Sequence, residues 1–368
     1  MGFKSLPAYR SSMPRTTVAE FTVESLEILG PDGSVDETLD PSLPDETLRT
    51  IYRTMRRSRR LDERAISLQR RGELGTYAPA VGQEAAQVAS AVTLRDDDWL
   101  VPAFREQAAL LTRGASMARI LAYAMGLEEG AETDGRTMPP AVPVGSQALH
   151  ATGIGWAHAL RGTDTVSIGY FGDGATSTGD VNEALNSAGA LDAQTVFLCQ
   201  NNQYAISTPR AEQSRAETLA QKAVAAGIDC LQVDGNDPLA VHVATTEALQ
   251  SAREGDPVLI EALTYRRSMH TTSDDPRKYR EESEETDWER RDPISRFETY
   301  LRDRDLLTDA EIESMADEID DEITEAVAEA KELAAAVDPR EMFEFAYSEM
   351  PPWLAAQLAA FEEATDGE

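Results

Sequence analysis

The middle third of the chain alternates between short apolar runs and helical patterns, and this alternation limits the fold more than any other feature of the sequence. The apolar runs are TVSIGYF (165–171), TVFLCQ (195–200), CLQVD (230–234) and PVLIEALTY (257–265), with helical patterns near 178–192, 215–226 and 238–253. Strands joined through helices of this length favour a parallel sheet with helices on both faces and right-handed crossovers. We therefore predict an α/β fold that binds its ligand beyond the carboxyl ends of the strands.

The segments around this core divide the chain into three predicted parts. Residues 1–43 are polar and turn-rich, with GPDG between two short runs that predict a hairpin, and are interpreted as an N-terminal arm. Residues 44–340 form the α/β domain and residues 341–368 a C-terminal helical tail. The segment 266–291 has almost no apolar residues and is predicted to be a structureless loop over the ligand site. Further helices are predicted near 44–67, 82–92 and 106–114, and from residue 294 onward.

The chain is strongly acidic. Its formal net charge is −32 and its pI about 4.4, with four lysines against thirty arginines. Such a surface repels phosphate backbones, which argues against nucleic-acid binding. At molar salt the Debye length falls to roughly 3 Å and the self-repulsion nearly vanishes, so we interpret the charge as an adaptation to a salt-rich cytoplasm. The alternative is an ordinary acidic protein that its charge keeps soluble.

Cysteine usage and hydropathy bear on location. Cys199 and Cys230 lie in apolar runs predicted to be strands, which suits buried thiols in a reducing compartment and predicts a cytoplasmic protein. No apolar run approaches the length of about 18 residues that a membrane span needs. The first nineteen residues contain three basic residues and no acid. They allow a transit peptide as an alternative, but we favour a mobile arm.

Polar residues follow two successive predicted strands. Asp173 ends the first and Asn201-Asn202 ends the next, with one helix between them. Adjacent strand ends in a parallel sheet lie side by side, so Asp173 and Asn202 can offer two oxygens to one hard cation, and a backbone carbonyl can give a third. Mg²⁺ accepts these ligands and completes its octahedron with phosphate oxygens. Glycines around Asp173 and the helix that follows it suit a diphosphate, so we predict a metal-bridged diphosphate.

Two common nucleotide motifs are absent from the sequence. A nicotinamide fingerprint needs G-x-G-x-x-G, but Ser177 occupies the third glycine position after Gly172 and Gly174. No G-x-x-x-x-G-K-[ST] motif for a nucleoside triphosphate occurs either. A lone GDG is a weak signal because such turns also cap helices. The combination with NN after the next strand is much more specific.

GDG followed by NN at this distance resembles the thiamine diphosphate motif. QNNQYAISTP and its preceding strand resemble the α subunit of the decarboxylating first component of 2-oxoacid dehydrogenase complexes, of the pyruvate and branched-chain type. The resemblance covers roughly residues 45–350 and includes RRLDERAISLQRRGELGTYAPAVGQEAAQVAS, VPAFRE, LIEALTYR and HTTSDDPRKYR. It implies the thiamine diphosphate-binding fold, with thiamine diphosphate and Mg²⁺ as cofactors.

The resemblance also implies roles for individual residues. The implied cofactor-binding positions are Phe104, Arg105, Val142, Val144, Asp173, Gly174, Ala175, Asn202, Ile206 and His270, and the implied metal ligands are Asp173, Asn202 and the carbonyl of Tyr204. Arg105 would bind the diphosphate, and the backbone of Val142 and Val144 the aminopyrimidine. Phe104 stands where the family usually has tyrosine, so a hydroxyl contact is lost. Some relatives hold a structural K⁺, which would fall here at Ala141, Pro143, Ser146 and Gln147.

His270 matches the histidine that contacts the diphosphate and assists acyl transfer, so the resemblance makes it the catalytic residue. In a polar loop we expect an unshifted imidazole that exchanges a proton near neutral pH. Without the resemblance, a solvent-exposed loop histidine would be the simpler interpretation. His150, His158 and His242 are interpreted as packing or surface residues. Thr271 occupies a position where animal relatives carry a regulatory phosphoserine.

The implied activity is oxidative decarboxylation of pyruvate or a branched-chain 2-oxoacid, with acyl transfer to a lipoyl group. A glutamate that activates the cofactor lies in a separate β subunit in this family, and the chain is too short for a second domain of that kind. The expected partners are a β subunit in an α₂β₂ assembly and a lipoyl-bearing acyltransferase. Two alternatives remain: the α subunit of an acetoin-cleaving thiamine diphosphate enzyme, and a non-catalytic assembly subunit.

Overall fold

The fold is built on one parallel sheet of six strands. A computed structural model describes residues 16–133 and 135–365. The strands are β1 (Glu24–Leu26), β2 (Trp99–Val101), β3 (Ser167–Gly172), β4 (Thr195–Asn201), β7 (Asp229–Asp234) and β8 (Val258–Leu263), in the order β1-β7-β8-β4-β3-β2, beside a small hairpin of β5 (Tyr204–Ala205) and β6 (Thr208–Pro209). Every pairing within the six-stranded sheet is parallel, which confirms the predicted fold class.

Helices connect and cover these strands. They are α1 (Asp45–Arg70), α2 (Glu84–Ala91), α3 (Gln107–Thr112), α4 (Met117–Met125), α5 (Ser146–Arg161), α6 (Gly179–Ala190), α7 (Arg210–Gln213), α8 (Gln221–Ala226), α9 (Pro238–Arg253), α10 (Glu282–Glu289), α11 (Pro293–Asp303), α12 (Asp309–Ala336), α13 (Glu341–Glu344) and α14 (Pro352–Thr365). None of these helices is long and apolar enough to cross a membrane. The cytoplasmic location and the salt-rich setting stay predictions.

The sheet is buried on both faces, as a parallel sheet requires. Alternate side chains of β4 show this: Val196 and Leu198 belong to one apolar cluster with α1, α2 and α9, whereas Phe197 and Cys199 belong to another with α5, α6 and α8. Cys199 is a free, buried thiol, as expected of a strand residue. This two-sided burial explains why the strands are short continuous apolar runs in the sequence.

The N-terminal arm differs in part from the prediction. A turn does occupy residues 30–33, where Leu29 pairs with Val35 across an antiparallel bridge. The residues before it, however, form β1, which joins the main sheet as a parallel edge strand. The buried carboxylate of Asp237 accepts hydrogen bonds from the backbone of Ile28 (2.7 Å) and Leu29 (2.6 Å). Because this contact joins residues far apart in the sequence, no local sequence pattern predicts it. The basic residues of the first nineteen positions fall at 4, 10 and 15, outside the described residues.

The prediction of a structureless loop over residues 266–291 was wrong. The segment contains a 3₁₀ turn (Pro276–Lys278) and helix α10. Polar contacts and a few aromatic contacts hold it. Asp274 accepts a hydrogen bond from the His270 backbone at 2.7 Å and another from the Tyr279 hydroxyl at 2.5 Å, and Trp288 stacks on Tyr265 with 5.4 Å between the ring centres. A segment held in this way has no hydrophobic periodicity, so the sequence resembled a loop.

Candidate active site

The carboxyl edge of the sheet gathers four polar side chains from four neighbouring strands. Arg105 follows β2, Asp173 follows β3, Asn202 follows β4 and Arg266 follows β8. Each has at most 5% of its surface exposed, and Arg266 has none. Burial of this kind is unfavourable for charged groups unless they are paired or bind a ligand. The edge therefore has the character of a binding site rather than of a solvated rim.

Two of the predicted metal ligands, with the carbonyl of the third, converge at one point. One atom of the Asn202 carboxamide lies 3.3 Å from Asp173 Oδ1 and 3.0 Å from the Tyr204 carbonyl oxygen. When that atom is Oδ1, Nδ2 donates to Gln83 Oε1 at 3.0 Å, and three oxygens face one another. Such an oxygen trio is stabilised by a hard cation. The reversed carboxamide is the hydrogen-bonded alternative, and it also requires Gln83 to reverse.

Asp173 is the only carboxylate of this trio. Its Oδ2 accepts a hydrogen bond from Gln213 Nε2 at 2.6 Å, while Oδ1 faces Asn202. Burial raises the pKa of Asp173 above its usual value, because the charged form is poorly solvated. Among the described residues no cluster of three or more His, Cys, Asp or Glu side chains could hold a metal. A cation here would depend on the mixed set of one carboxylate, one carboxamide and one carbonyl.

Two buried guanidinium groups lie beside the trio. In residues 16–133 and 135–365, neither Arg105 nor Arg266 has a carboxylate oxygen within ion-pair distance. Arg105 donates to the carbonyl oxygen of Pro79 (2.8 Å), and Arg266 donates to the carbonyl oxygen of Ile206 (2.6 Å). Burial and the charge of Arg266 lower the pKa of Arg105 to about 10, so it stays protonated at neutral pH. Arg105 lines the cavity at this edge, whereas Arg266 is fully buried behind it and donates to Tyr204, Ile206 and Tyr279.

His270 joins the two arginines and corrects one prediction. Its Nδ1 lies 3.0 Å from Arg105 and 3.2 Å from Arg266, so it accepts from both. Burial and these two positive charges lower the pKa of His270 to about 3. The expectation of an unshifted imidazole was therefore wrong for the chain without ligands. Its ring also meets the edge of the Phe104 ring, with 6.0 Å between the ring centres.

The remaining predicted residues line the same cavity of about 800 Å³. These are Phe104, Val142, Val144, Gly174, Ala175 and Ile206. Gly174 must be glycine, since a Cβ there would lie 2.7 Å from the Cβ of Ala205. Ile206 has a φ of 58°, an unusual conformation for a β-branched residue, and the bond from Arg266 to its carbonyl holds it there. The structure thus brings every predicted cofactor-binding residue to one cavity.

The carbonyl oxygens of the predicted K⁺ loop accept hydrogen bonds from side chains of the same loop. Gln147 Nε2 donates to the carbonyl oxygens of Ala141 (2.7 Å) and Pro143 (3.2 Å), and Ser146 Oγ donates to the same Pro143 oxygen at 3.0 Å. These carbonyls already have partners, so the structure adds no support for K⁺, which stays a prediction.

Sequence reasoning missed Arg266 and Gln213. Arg266 lies three residues beyond the end of β8, at the edge where ligands bind, and that position was a usable signal. Gln213 lies forty positions from Asp173 in a single helical turn, and no sequence pattern marks it.

Comparison with known proteins places the chain in a family. The dehydrogenase E1 component family matches residues 52–337, so the chain belongs to that family. The chain is 42% identical over 337 residues to the pyruvate dehydrogenase E1 component subunit alpha of Acholeplasma laidlawii, covering 90% of this chain and 98% of that protein. It is 41% identical over 355 residues to the 3-methyl-2-oxobutanoate dehydrogenase subunit alpha of Mycobacterium tuberculosis, covering 94% and 96%. A pyruvate dehydrogenase E1 alpha subunit of Bacillus subtilis is 39% identical over 99% of both chains.

These relatives define the type more closely. The chain is an α subunit of the E1 component of a 2-oxoacid dehydrogenase, of the pyruvate or branched-chain type. The branched-chain relative, at 41% identity, falls between the two pyruvate relatives at 42% and 39%, so the identities do not separate the two substrates.

Proposed function

We propose that this chain holds the diphosphate end of thiamine diphosphate through Mg²⁺, and that with a β subunit it catalyses the oxidative decarboxylation of pyruvate or a branched-chain 2-oxoacid, with acyl transfer to a lipoyl group. One observation carries the proposal: two buried arginines, which have no carboxylate within ion-pair distance in the described part of the chain, lie beside three converging oxygens. Arg105, which lines the cavity, would suit phosphoryl oxygens, and the three oxygens would suit a divalent cation.

Each residue has a defined part in this proposal. Asp173 Oδ1, Asn202 Oδ1 and the Tyr204 carbonyl hold Mg²⁺, and Arg105 neutralises the diphosphate. When bound, thiamine diphosphate supplies the electron sink that decarboxylation requires. Ile206, which is 58% exposed, offers an apolar side chain against which the cofactor can pack. The protein's own contribution is therefore anchoring, orientation and exclusion of water.

His270 is proposed as a proton donor. Because Nδ1 accepts from the arginines, the neutral ring carries its proton on Nε2. The low pKa keeps this tautomer neutral across the physiological range. His270 thus offers one N–H to an oxygen of the substrate or the cofactor in the cavity, and does not add a third positive charge.

Exposed apolar side chains support the proposed β partner. On α5, Leu149, Trp156 and Leu160 are 39%, 40% and 71% exposed, and their spacing puts them on one face of the helix. Val142 and Val144, at the cavity mouth, are 60% and 53% exposed. A surface of this kind, continuous with an open site, is typical of a subunit interface. We propose that the β subunit covers it and completes the cavity.

The test is reconstitution with the β-subunit-like protein encoded nearest to this chain. Calorimetry of the pair should show Mg²⁺-dependent binding of thiamine diphosphate, and assays with pyruvate, branched-chain 2-oxoacids and acetoin identify the substrate. The isolated chain should not decarboxylate. A pair that binds no cofactor would instead favour the non-catalytic alternative, and turnover by the isolated chain would refute the need for a partner.

A further inference from the structure

The carboxylate of Asp173 has a single side-chain partner among the described residues, the amide of Gln213. Gln213 Nε2 donates to Asp173 Oδ2 at 2.6 Å and to the Thr208 carbonyl oxygen at 3.0 Å. The other carboxylate oxygen, Oδ1, faces the Asn202 carboxamide at 3.3 Å, and the same carboxamide atom lies 3.0 Å from the Tyr204 carbonyl oxygen. The amide thus occupies one oxygen of Asp173 and leaves the other for the cation.

Gln213 is held rigidly enough to fix that geometry. It ends the single turn α7, whose first residue, Arg210, donates its backbone N–H to the Gln203 carbonyl at 2.8 Å. The Arg210 side chain also donates to the carbonyl oxygens of Ser214 (3.0 Å) and Ala216 (2.6 Å), just beyond the turn. The same short segment therefore follows the ligand Asn202 and returns to the ligand Asp173.

The chemistry of the amide suits this place better than a charged group would. An arginine or lysine would neutralise Asp173 and compete with the cation, and a second carboxylate would repel Asp173 across 2.6 Å. An amide N–H orients the carboxylate without changing its charge. Residues that hydrogen-bond to a metal ligand in this way typically lower the metal affinity by roughly 10- to 100-fold when they are removed.

We propose that Gln213 is a positioning residue for the metal site: it fixes the Asp173 carboxylate so that Oδ1 alone faces the cation. The inference rests on the proposed function, since it assumes that Asp173, Asn202 and the Tyr204 carbonyl hold a divalent ion. Gln213 acts through Asp173 and touches neither the cofactor nor the substrate.

The experiment uses the reconstituted αβ pair and Mn²⁺ as a spectroscopic substitute for Mg²⁺. Electron paramagnetic resonance measures free Mn²⁺ in the presence of thiamine diphosphate for the unaltered pair and for Gln213→Met, which keeps the length of the side chain but removes the donor. The matched control is Gln221→Met, at an exposed glutamine on α8 whose side-chain oxygen accepts from the Thr218 backbone N–H at 3.0 Å, away from the metal site. If Gln213→Met does not fold, Gln213→Asn takes its place, because its side chain is shorter by one methylene and its amide donor lies farther from Asp173.

The expected result is a loss of Mn²⁺ affinity of roughly 10- to 100-fold in either Gln213 variant, with Gln221→Met unchanged. At saturating Mn²⁺ the affinity for thiamine diphosphate should return to within about threefold of the unaltered pair, because the lost interaction concerns the metal. A folded Gln213 variant with unchanged Mn²⁺ affinity, or an equal loss in Gln221→Met, would overturn the inference. Absence of Mn²⁺ binding by the unaltered pair would instead overturn the proposed function.

Discussion

Replacing Asp173 by asparagine should stabilise the metal-free chain and abolish its response to the cofactor. When the carboxamide oxygen of Asn202 points toward Asp173, the metal-free chain holds a buried carboxylate whose Oδ1 lies 3.3 Å from that oxygen. An asparagine at this position can keep its oxygen toward Gln213 and turn its amide nitrogen toward Asn202. A repulsive contact then becomes a hydrogen bond, but the charge that attracts the cation is lost.

The size of the effect follows from that distance. At an effective dielectric constant of about 20, two unit charges 3.3 Å apart repel by about 5 kcal/mol. Each oxygen carries only about half a charge, so the contact between the two oxygens costs about 1 kcal/mol. A hydrogen bond in its place contributes about 1 kcal/mol. With this orientation of Asn202, the free energy of unfolding of the metal-free chain should rise by about 2 kcal/mol, whereas a reversed carboxamide, which already donates to Asp173, predicts no gain.

Urea unfolding of the isolated chain in EDTA measures this gain, with Asp164→Asn as the control at an exposed acid. The control should change stability by less than about 1 kcal/mol. In the reconstituted pair, Mg²⁺ and thiamine diphosphate at 100 times the dissociation constant should stabilise the unaltered protein by about 2.7 kcal/mol and leave Asp173→Asn unchanged. A less stable Asp173→Asn chain in EDTA, or a variant that responds to the cofactor like the unaltered pair, would refute the oxygen trio.

Three further predictions follow from the contacts around this site. A lysine at position 266 cannot donate to the Tyr204 and Ile206 carbonyls together as Arg266 does. For Arg266→Lys, calorimetry of the pair should therefore show a cofactor affinity roughly 10- to 100-fold weaker. An unchanged affinity would exclude a role for the guanidinium group. His270 titrates near 6.5 when unfolded and at about 3 when folded, so the unfolded chain binds more protons between these values and stability falls as the pH drops through them. Urea unfolding of the cofactor-free chain should show a smaller loss over this range for His270→Gln, and equal losses would show that the imidazole does not contribute. Asp98→Asn removes the buried carboxylate that accepts two hydrogen bonds from Arg253, at 2.9 and 2.6 Å. Urea unfolding should show a loss of about 3–5 kcal/mol in the free energy of unfolding, while the cofactor affinity stays unchanged. A changed affinity would mean that the active site is coupled to the opposite end of the sheet.

The parts of the site that the sequence predicted are those that sheet topology dictates. Asp173 and Asn202 follow adjacent parallel strands, and adjacent strand ends meet whatever the rest of the chain does. The same rule extends to Arg266 after β8, which pairs with β4. Strands β3, β4, β7 and β8 were likewise predicted from their apolar runs, because both faces of the sheet are buried.

Features that rest on contacts distant in sequence could not be predicted in this way. β1 joins the sheet by pairing with β7, more than two hundred residues away, and Gln213 reaches Asp173 from a single turn with no periodicity. The pKa of His270 depends on two arginines that meet only in the folded chain. Local sequence patterns indicate secondary-structure propensity and burial, but they do not indicate which polar groups meet in one cavity of the folded chain.

The proposed metal site consists of Asp173, Asn202 and the Tyr204 carbonyl, which together would hold one divalent cation. The most direct measurement is anomalous diffraction from crystals of the αβ pair grown with Mn²⁺ and thiamine diphosphate. We expect a single anomalous peak about 2.0–2.2 Å from Asp173 Oδ1, Asn202 Oδ1 and the Tyr204 carbonyl oxygen. A peak elsewhere, or an Asn202 nitrogen that donates to Asp173 with the cofactor bound, would contradict the proposed site.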